Sequence, residues 1–253
     1  MRNALILAHG QPSDPRPAGA ALEVLAARVQ ALLPGWTVGA ATLAEPGAIA
    51  LEVARCATGV VFPMFMAGGW FTRVQIPAKL ADAGASVGPG GWTVLEPFGC
   101  DPGVHELCVT LVREAGVREA GLREAGEREA GVDQVILAAH GSFKSSVPSD
   151  IAGHVAGRIA AETGVSVQAG FIDQTPRLAT LTGIGGVCLP FFAADGGHVS
   201  VDIPQALTEA GFTGRILPAV GLDPRVPGII AAALVRGVPV CAGACRWARD
   251  HNP

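Results

Sequence analysis

The chain has 253 residues, enough for one large domain or two ordinary ones, and 49% of them are apolar against 16% charged, so a substantial core can be buried. A net charge of −4 argues against nucleic acid as the main partner, and no apolar run approaches the ~20 residues that a membrane helix needs. Tyrosine is absent and other aromatics are few, so Ala, Val, Leu and Ile must fill most of the core.

Taken in chain order, short apolar runs near 3–8, 37–43, 58–65 and 92–95 read as strands, with a helix near 17–33. Residues 112–131, VREAGVREAGLREAGEREAG, are one pentapeptide written four times. Arg, Glu and Ala favour helix, but a glycine in every fifth place weakens it, and a period of five drifts around a 3.6-residue turn without forming an apolar stripe. The segment is therefore expected to be a solvated, partly helical linker. Beyond it, strands are expected near 134–139, 165–172, 185–192 and 214–218, with helices near 148–163, 176–182, 203–210 and 225–236.

The two sides of the linker are related. ALILAHG (4–10) recurs as VILAAHG (135–141), GVVFPMFMAGGWFTRVQIPAKL (59–80) recurs without gaps as GVCLPFFAADGGHVSVDIPQAL (186–207), and FGCDPGV (98–104) recurs as VGLDPRV (220–226). Three matches in the same order mark an internal duplication. Short apolar strands alternating with helices imply parallel sheets covered on both faces. The expected fold class is α/β, with two duplicated flavodoxin-like or Rossmann-like domains facing each other across a cleft. Their expected bounds are 1–111 and 132–236, joined by the linker 112–131 and followed by a tail, 237–253.

Cysteines stand at 56, 100, 108, 188, 241 and 245, and Met1-Arg2-Asn3 leads straight into a strand-like run with no signal sequence. A cytoplasmic setting with reduced, mostly buried thiols is expected. Cys241 and Cys245 form a CxxxC pair that could hold a metal or cluster, although plain thiols are the simpler reading.

In an open α/β sheet, ligands bind beyond the carboxyl ends of the strands where the strand order reverses, which in a flavodoxin-like order lies between the first and third strands. His140 ends the first strand of the second half, and His198 lies just beyond the third, after Gly196-Gly197. Each alone is ordinarily a capping or hydrogen-bonding residue. Together they converge on one crevice, where imidazole can bind a divalent transition metal or move protons near neutral pH. Two protein ligands with open positions suit delivery of a metal rather than its storage. Asp173, after the second strand, could accept protons or help hold the metal, or equally cap a helix beginning near Pro176. Ser142, Lys144, Ser145 and Ser146 could bind substrate carboxylates.

A strand ending in HG, a P-hydrophobic-F…GGH…DIP segment further on, and duplication of the unit together resemble the CbiX/SirB family. These are class II chelatases that insert cobalt or ferrous iron into sirohydrochlorin, towards cobalamin or sirohaem. The resemblance spans nearly the whole chain apart from the REAG insert and the last fifteen or so residues. It implies a chelatase-like fold, a tetrapyrrole partner, a divalent metal (Co2+ or Fe2+) as substrate and no organic cofactor. His140 and His198 match the histidines that in the family bind the incoming metal and assist removal of pyrrole protons. Where the family often has a glutamate after the second strand, this chain has Phe171-Ile172-Asp173, a shorter acid.

The N-terminal half keeps His9 but has Phe71 in place of the second histidine and Gln75 in place of Asp202. Phenylalanine neither coordinates metal nor carries a proton, so the C-terminal copy is expected to be the active one. Trp70 and Phe71 could form an apolar wall against the macrocycle. Arg73, Lys144, Arg177 and Arg215 are candidates for its carboxylates. The alternatives are a chelatase for another tetrapyrrole, such as a haem precursor, and a non-catalytic tetrapyrrole or metal carrier. A histidine phosphatase would want Arg before HG, where this chain has Ala8 and Ala139. Membrane and nucleic acid are not expected partners; a monomer and a homodimer are both compatible with the sequence.

Overall fold

Both sheets follow one plan. In a computed structural model, which describes residues 2–116, 134–182, 185–243 and 245–247, the first sheet has the order β2 (Trp36–Thr42), β1 (Arg2–Ala8), β3 (Gly59–Pro63), β4 (Trp92–Val94). The second has the order β6 (Ser166–Phe171), β5 (Gln134–Ala139), β7 (Val187–Pro190), β8 (Arg215–Ile216). All of these pairs are parallel. Beyond Asn3 and Gln134 the central strands β1 and β5 are apolar, because both sheet faces are covered. Leu5, Ile6 and Leu7 of β1 and Ile136, Leu137 and Ala138 of β5 have no exposed surface.

The helices are α1 (Pro15–Leu32), α2 (Ala48–Arg55), α3 (Ile76–Asp82), α4 (Pro102–Glu114), α5 (Val147–Thr163), α6 (Ile203–Glu209) and α7 (Val226–Arg236). Among the described residues no helix is long and apolar enough to cross a membrane.

The chain forms two compact units that cross the expected boundaries of the halves. One unit contains Met1–Asp101 with Pro224–Cys245, and the other contains Pro102–Asp223 with Arg246 and Trp247. Each half thus gives its last helix away. In the first unit α7 packs against α1 and β3, burying Ile230 and Leu234, and Arg236 pairs with the buried Asp101. In the second unit α4 packs against α5, burying Leu107, Val109 and Val112, with Arg158 Nη2 2.7 Å from Glu106 Oε2. Duplication of the sequence reveals the repeats but not which sheet each final helix covers.

Three further expectations change. The linker's first residues, 112–114, continue α4, while 117–131 lie outside the described residues. The residues expected as a helix near 176–182 form only a single turn of 3-10 helix at Leu178–Thr180. Leu178 and Leu181 are buried there, and glycines at 183, 185 and 186 in the sequence disfavour a longer helix. The start of the expected tail is integrated with the first sheet. Val240 N–H donates to Val94 O (3.0 Å) and Glu96 N–H to Val238 O (2.9 Å), so this segment runs antiparallel along the edge of β4.

Two local features recur and aim the loops at the carboxyl end of each sheet. The first is a π-helical turn, Phe71–Gln75 in one unit and His198–Asp202 in the other. In each, an N–H five residues on closes the turn: Ile76 donates to Phe71 O and Ile203 to His198 O. Pro77 and Pro204 follow at once. With no N–H to give, and a ring that crowds the carbonyl four residues back, each favours the wider turn. The second is the G-x-D-P turn. Gly99 N–H donates to Phe65 O (3.0 Å) and Gly221 N–H to Phe192 O (2.9 Å). A Cβ on Gly99 would sit 2.1 Å from Met66 O, and one on Gly221 would sit 1.9 Å from Ala193 O. Only glycine lets this turn lie against the backbone of the loop that leads into the π turn.

Candidate active site

His140 leaves the end of β5 next to Gly141, whose φ of +75° turns the chain back on itself. That turn brings Gly141 O to 3.1 Å from His140 Nδ1. His9 and Gly10 repeat the arrangement in the first unit, with 2.8 Å from Nδ1 to Gly10 O. The HG pair is therefore a device for holding one imidazole. A carbonyl acceptor fixes the proton on Nδ1 and leaves the Nε2 lone pair for a ligand. The side chain is also 3.6 Å from Asp173 Oδ2. Asp173 is positioned by its own N–H, which donates to His140 O (2.9 Å), and no α-helix follows for it to cap.

His198 opens the π turn in the second unit. Its Nδ1 lies 2.6 Å from Asp202 Oδ2, four residues on, which again puts the proton on Nδ1 and leaves the lone pair on Nε2. The two imidazole rings meet with centroids 4.6 Å apart and planes at 90°. The convergence expected at the switch point is present: β5 and β7 are neighbours in the sheet, and each delivers one histidine at its carboxyl end. His140, Asp173, His198 and Asp202 are all half-exposed, with side chains 43–48% accessible, so a ligand can reach them. Among the described residues no group of three or more His, Cys, Asp and Glu forms a metal cage. What is assembled is an imidazole pair with carboxylates behind it. Asp202 is the member that composition and spacing did not single out; its signal is the i, i+4 interval to His198 within one helical turn.

The first unit carries the same frame with different chemistry. Phe71 takes the place of His198, Gln75 that of Asp202, and Ala44 that of Asp173. Ala44 N–H donates to His9 O (3.0 Å), just as Asp173 N–H donates to His140 O. His9 meets Phe71 edge to face at 4.9 Å, and Phe71 also contacts Phe65 at 5.7 Å and Trp70 at 5.2 Å. Trp70 is 61% exposed. Trp70 and Phe71 thus belong to an aromatic group around His9, in the other unit from the imidazole pair.

Ser142 and Lys144 sit in the loop after His140. Ser142 N–H donates to Gln174 Oε1 (3.0 Å), and Ser142 Oγ accepts from Lys144 N–H (3.1 Å), leaving the Lys144 ammonium exposed. Arg177 is on the adjacent loop, at the same edge of the sheet as Asp173. Arg73 is partly buried, its Nε and Nη2 without hydrogen-bond partners among the described residues. Arg215 does not belong to the site. It pairs in register with Val187 at the amino end of β7, and its guanidinium donates to Ala115 O (3.0 Å).

None of the six cysteines is in a disulfide. Burial pushes the Cys188 thiol up to about 12 and raises Cys108 still further. The thiol of Cys100 is raised by its hydrogen bond with Cys245 and by burial. The CxxxC pair is divided, with Cys245 against Cys100 and Cys241 Sγ 3.9 Å from Glu96 Oε1. Thiols raised in this way, as at Cys100, Cys108 and Cys188, are poor metal ligands.

Comparison with known proteins points the same way as this geometry. Residues 134–236, the half that carries the imidazole pair, match the CbiX family. The solved structure of CbiX, described as the terminal enzyme for biosynthesis of siroheme in denitrifying bacteria, is 40% identical over 94% of this chain and 100% of that one, with a TM-score of 0.80. SirB from Bacillus subtilis with Fe3+ is 14% identical over 94% of this chain and 96% of that one, with a TM-score of 0.69. The sirohydrochlorin chelatase SirB from Bacillus subtilis subspecies spizizenii, in complex with cobalt, is 15% identical over the same shares, with a TM-score of 0.64. At these identities the two SirB structures speak for the fold alone. No curated protein sequence matches the chain.

Proposed function

The chain belongs to the CbiX family, and from that premise we propose that it inserts a divalent metal, Fe2+ or Co2+, into sirohydrochlorin, with the second unit carrying the chemistry. The observation that carries this reading is the imidazole pair, His140 and His198, with ring centroids 4.6 Å apart and each Nδ1 held by an acceptor.

Insertion replaces two pyrrole protons with one metal ion, so the site must present the metal on one face of the ring and receive protons nearby. Two neutral imidazoles supply lone pairs for a partly hydrated metal while leaving most of its coordination positions to water and then to the ring nitrogens. Weak, two-point binding lets the metal leave. As the metal passes to the ring, each Nε2 becomes available as a base, and Asp173 beside His140 offers the protons an exit to solvent. Asp202 has a different part: by accepting from His198 Nδ1–H it holds that ring in the tautomer whose Nε2 lone pair is free. Imidazole and carboxylate serve iron and cobalt alike, so both ions are proposed substrates. In the second unit, Ser142 and Lys144 beside His140 offer polar contacts to the carboxylates of the macrocycle.

The test is direct. Purified protein given sirohydrochlorin and either Fe2+ or Co2+ is expected to convert the absorption spectrum of the free ring to that of the metallated ring faster than the uncatalysed control. Tight ring binding with no spectral conversion under either metal would make the protein a carrier instead.

A further inference from the structure

The loops that carry His140 and Asp173 are zipped together beyond the metal-handling pair. A Cβ on Gly141 would lie 2.7 Å from Gln174 Cβ and 3.0 Å from Phe171 Cβ. Gln174 Oε1 accepts from Ser142 N–H at 3.0 Å. At the outer end of this zipper, Arg177 Cζ lies 5.8 Å from the centre of the Phe143 ring.

Two features of that outer pair are costly for a protein that uses them for nothing. Phe143 is 73% exposed, although aromatic rings are scarce in this chain. Arg177 donates only to Ile172 O, at 3.3 Å, and has no carboxylate partner among the described residues. Two acids do line the same hollow beside α6, but both are engaged: Asp202 with His198 at 2.6 Å and Glu209 with Gln205 at 3.0 Å. Arg177 therefore keeps its positive charge for something outside the protein. An exposed aromatic face beside an unpaired planar cation matches a flat ring with carboxylates on its rim.

Resting on the function proposed above, we infer that Phe143 and Arg177 form a recognition clamp for the carboxylate-bearing edge of the tetrapyrrole. The ring's periphery lies on Phe143, and one of its carboxylates pairs with the Arg177 guanidinium. The clamp sets which rings are accepted, not how the metal is handled. Its position on the loops that hold His140 and Asp173 fixes the ring relative to the imidazole pair.

The experiment uses the full chain without metal and follows binding of sirohydrochlorin by its fluorescence. Arg177→Gln is expected to weaken the dissociation constant about ten-fold, the loss of one charge-assisted pair, and Arg177→Lys to recover part of it. Phe143→Ser is expected to weaken binding several-fold. In the insertion assay the same variants should raise KM for the ring and leave KM for Co2+ unchanged. A ring dissociation constant for Arg177→Gln within about two-fold of the parent protein overturns the clamp, as does one restored no better by lysine than by glutamine. A parent protein that binds the ring but inserts no metal would defeat the proposed function and leave the binding comparison to decide the clamp.

Discussion

The imidazole of His198 can coordinate through Nε2 only while its Nδ1 carries the proton, and Asp202 Oδ2 at 2.6 Å keeps it there. His140 relies on a backbone carbonyl for the same purpose and has Asp173 at a longer 3.6 Å. In the proposed reaction the two carboxylates therefore have different parts, Asp202 fixing a tautomer and Asp173 accepting protons. Removing Asp202 should leave the ring site intact and spoil the metal ligand. Asp202→Ala is expected to lower kcat about ten- to hundred-fold, the usual cost of losing such a partner, with the ring's KM unchanged. Asp202→Asn, which can still accept at Nδ1, should fall between; steady-state insertion kinetics decide this. A rise in ring KM with kcat preserved would assign Asp202 to substrate binding. Both histidines were legible in the sequence because the duplication supplies a control, Phe71 against His198. Asp202 was less legible because its worth depends on GGH opening a helical turn and not ending a loop.

At the scale of elements, the recurring G-x-D-P turn supports the loop that ends in His198. Gly221→Ala would push a methyl group into Ala193 O, a backbone atom that cannot move without shifting the loop. A loss of about 2 kcal/mol or more is expected in urea unfolding, together with a fall in insertion rate per folded molecule. Gly99→Ala should destabilise similarly through Met66 O while sparing the chemistry, because its π turn carries Phe71. Equal activity losses in the two variants would separate the turn from the site. The strands at both switch points were readable from apolar runs and HG endings. The helix expected near 176–182 was not, because its apolar residues, Leu178 and Leu181, fill a core from an irregular segment. Periodicity alone cannot distinguish those cases.

For the whole molecule, buried titratable groups set the pH range of stability. Cys188 is pushed from about 9 to about 12 by burial, so the folded state holds a proton that the unfolded chain releases first, and stability should decline as pH rises through that interval. His154 is lowered from 6.5, by burial and then by Arg158. The unfolded chain takes up this proton more readily, so stability should also fall as pH drops below about 6.5. Thermal melting is therefore expected to be flattest between those limits, and Cys188→Ala should flatten the alkaline limb. The duplication was plain in the sequence, but the exchange of α4 and α7 was not, because an amphipathic helix does not encode which of two similar sheets it covers. The loss of the second ligand at Phe71, matched by Ala44 and Gln75, leaves the central claim open to one comparison. Insertion of Co2+ into sirohydrochlorin should fall at least about a hundred-fold in His140→Ala and in His198→Ala, and stay close to the parent rate in His9→Ala. Loss in His9→Ala with the other two active would place the chemistry in the first unit and contradict it.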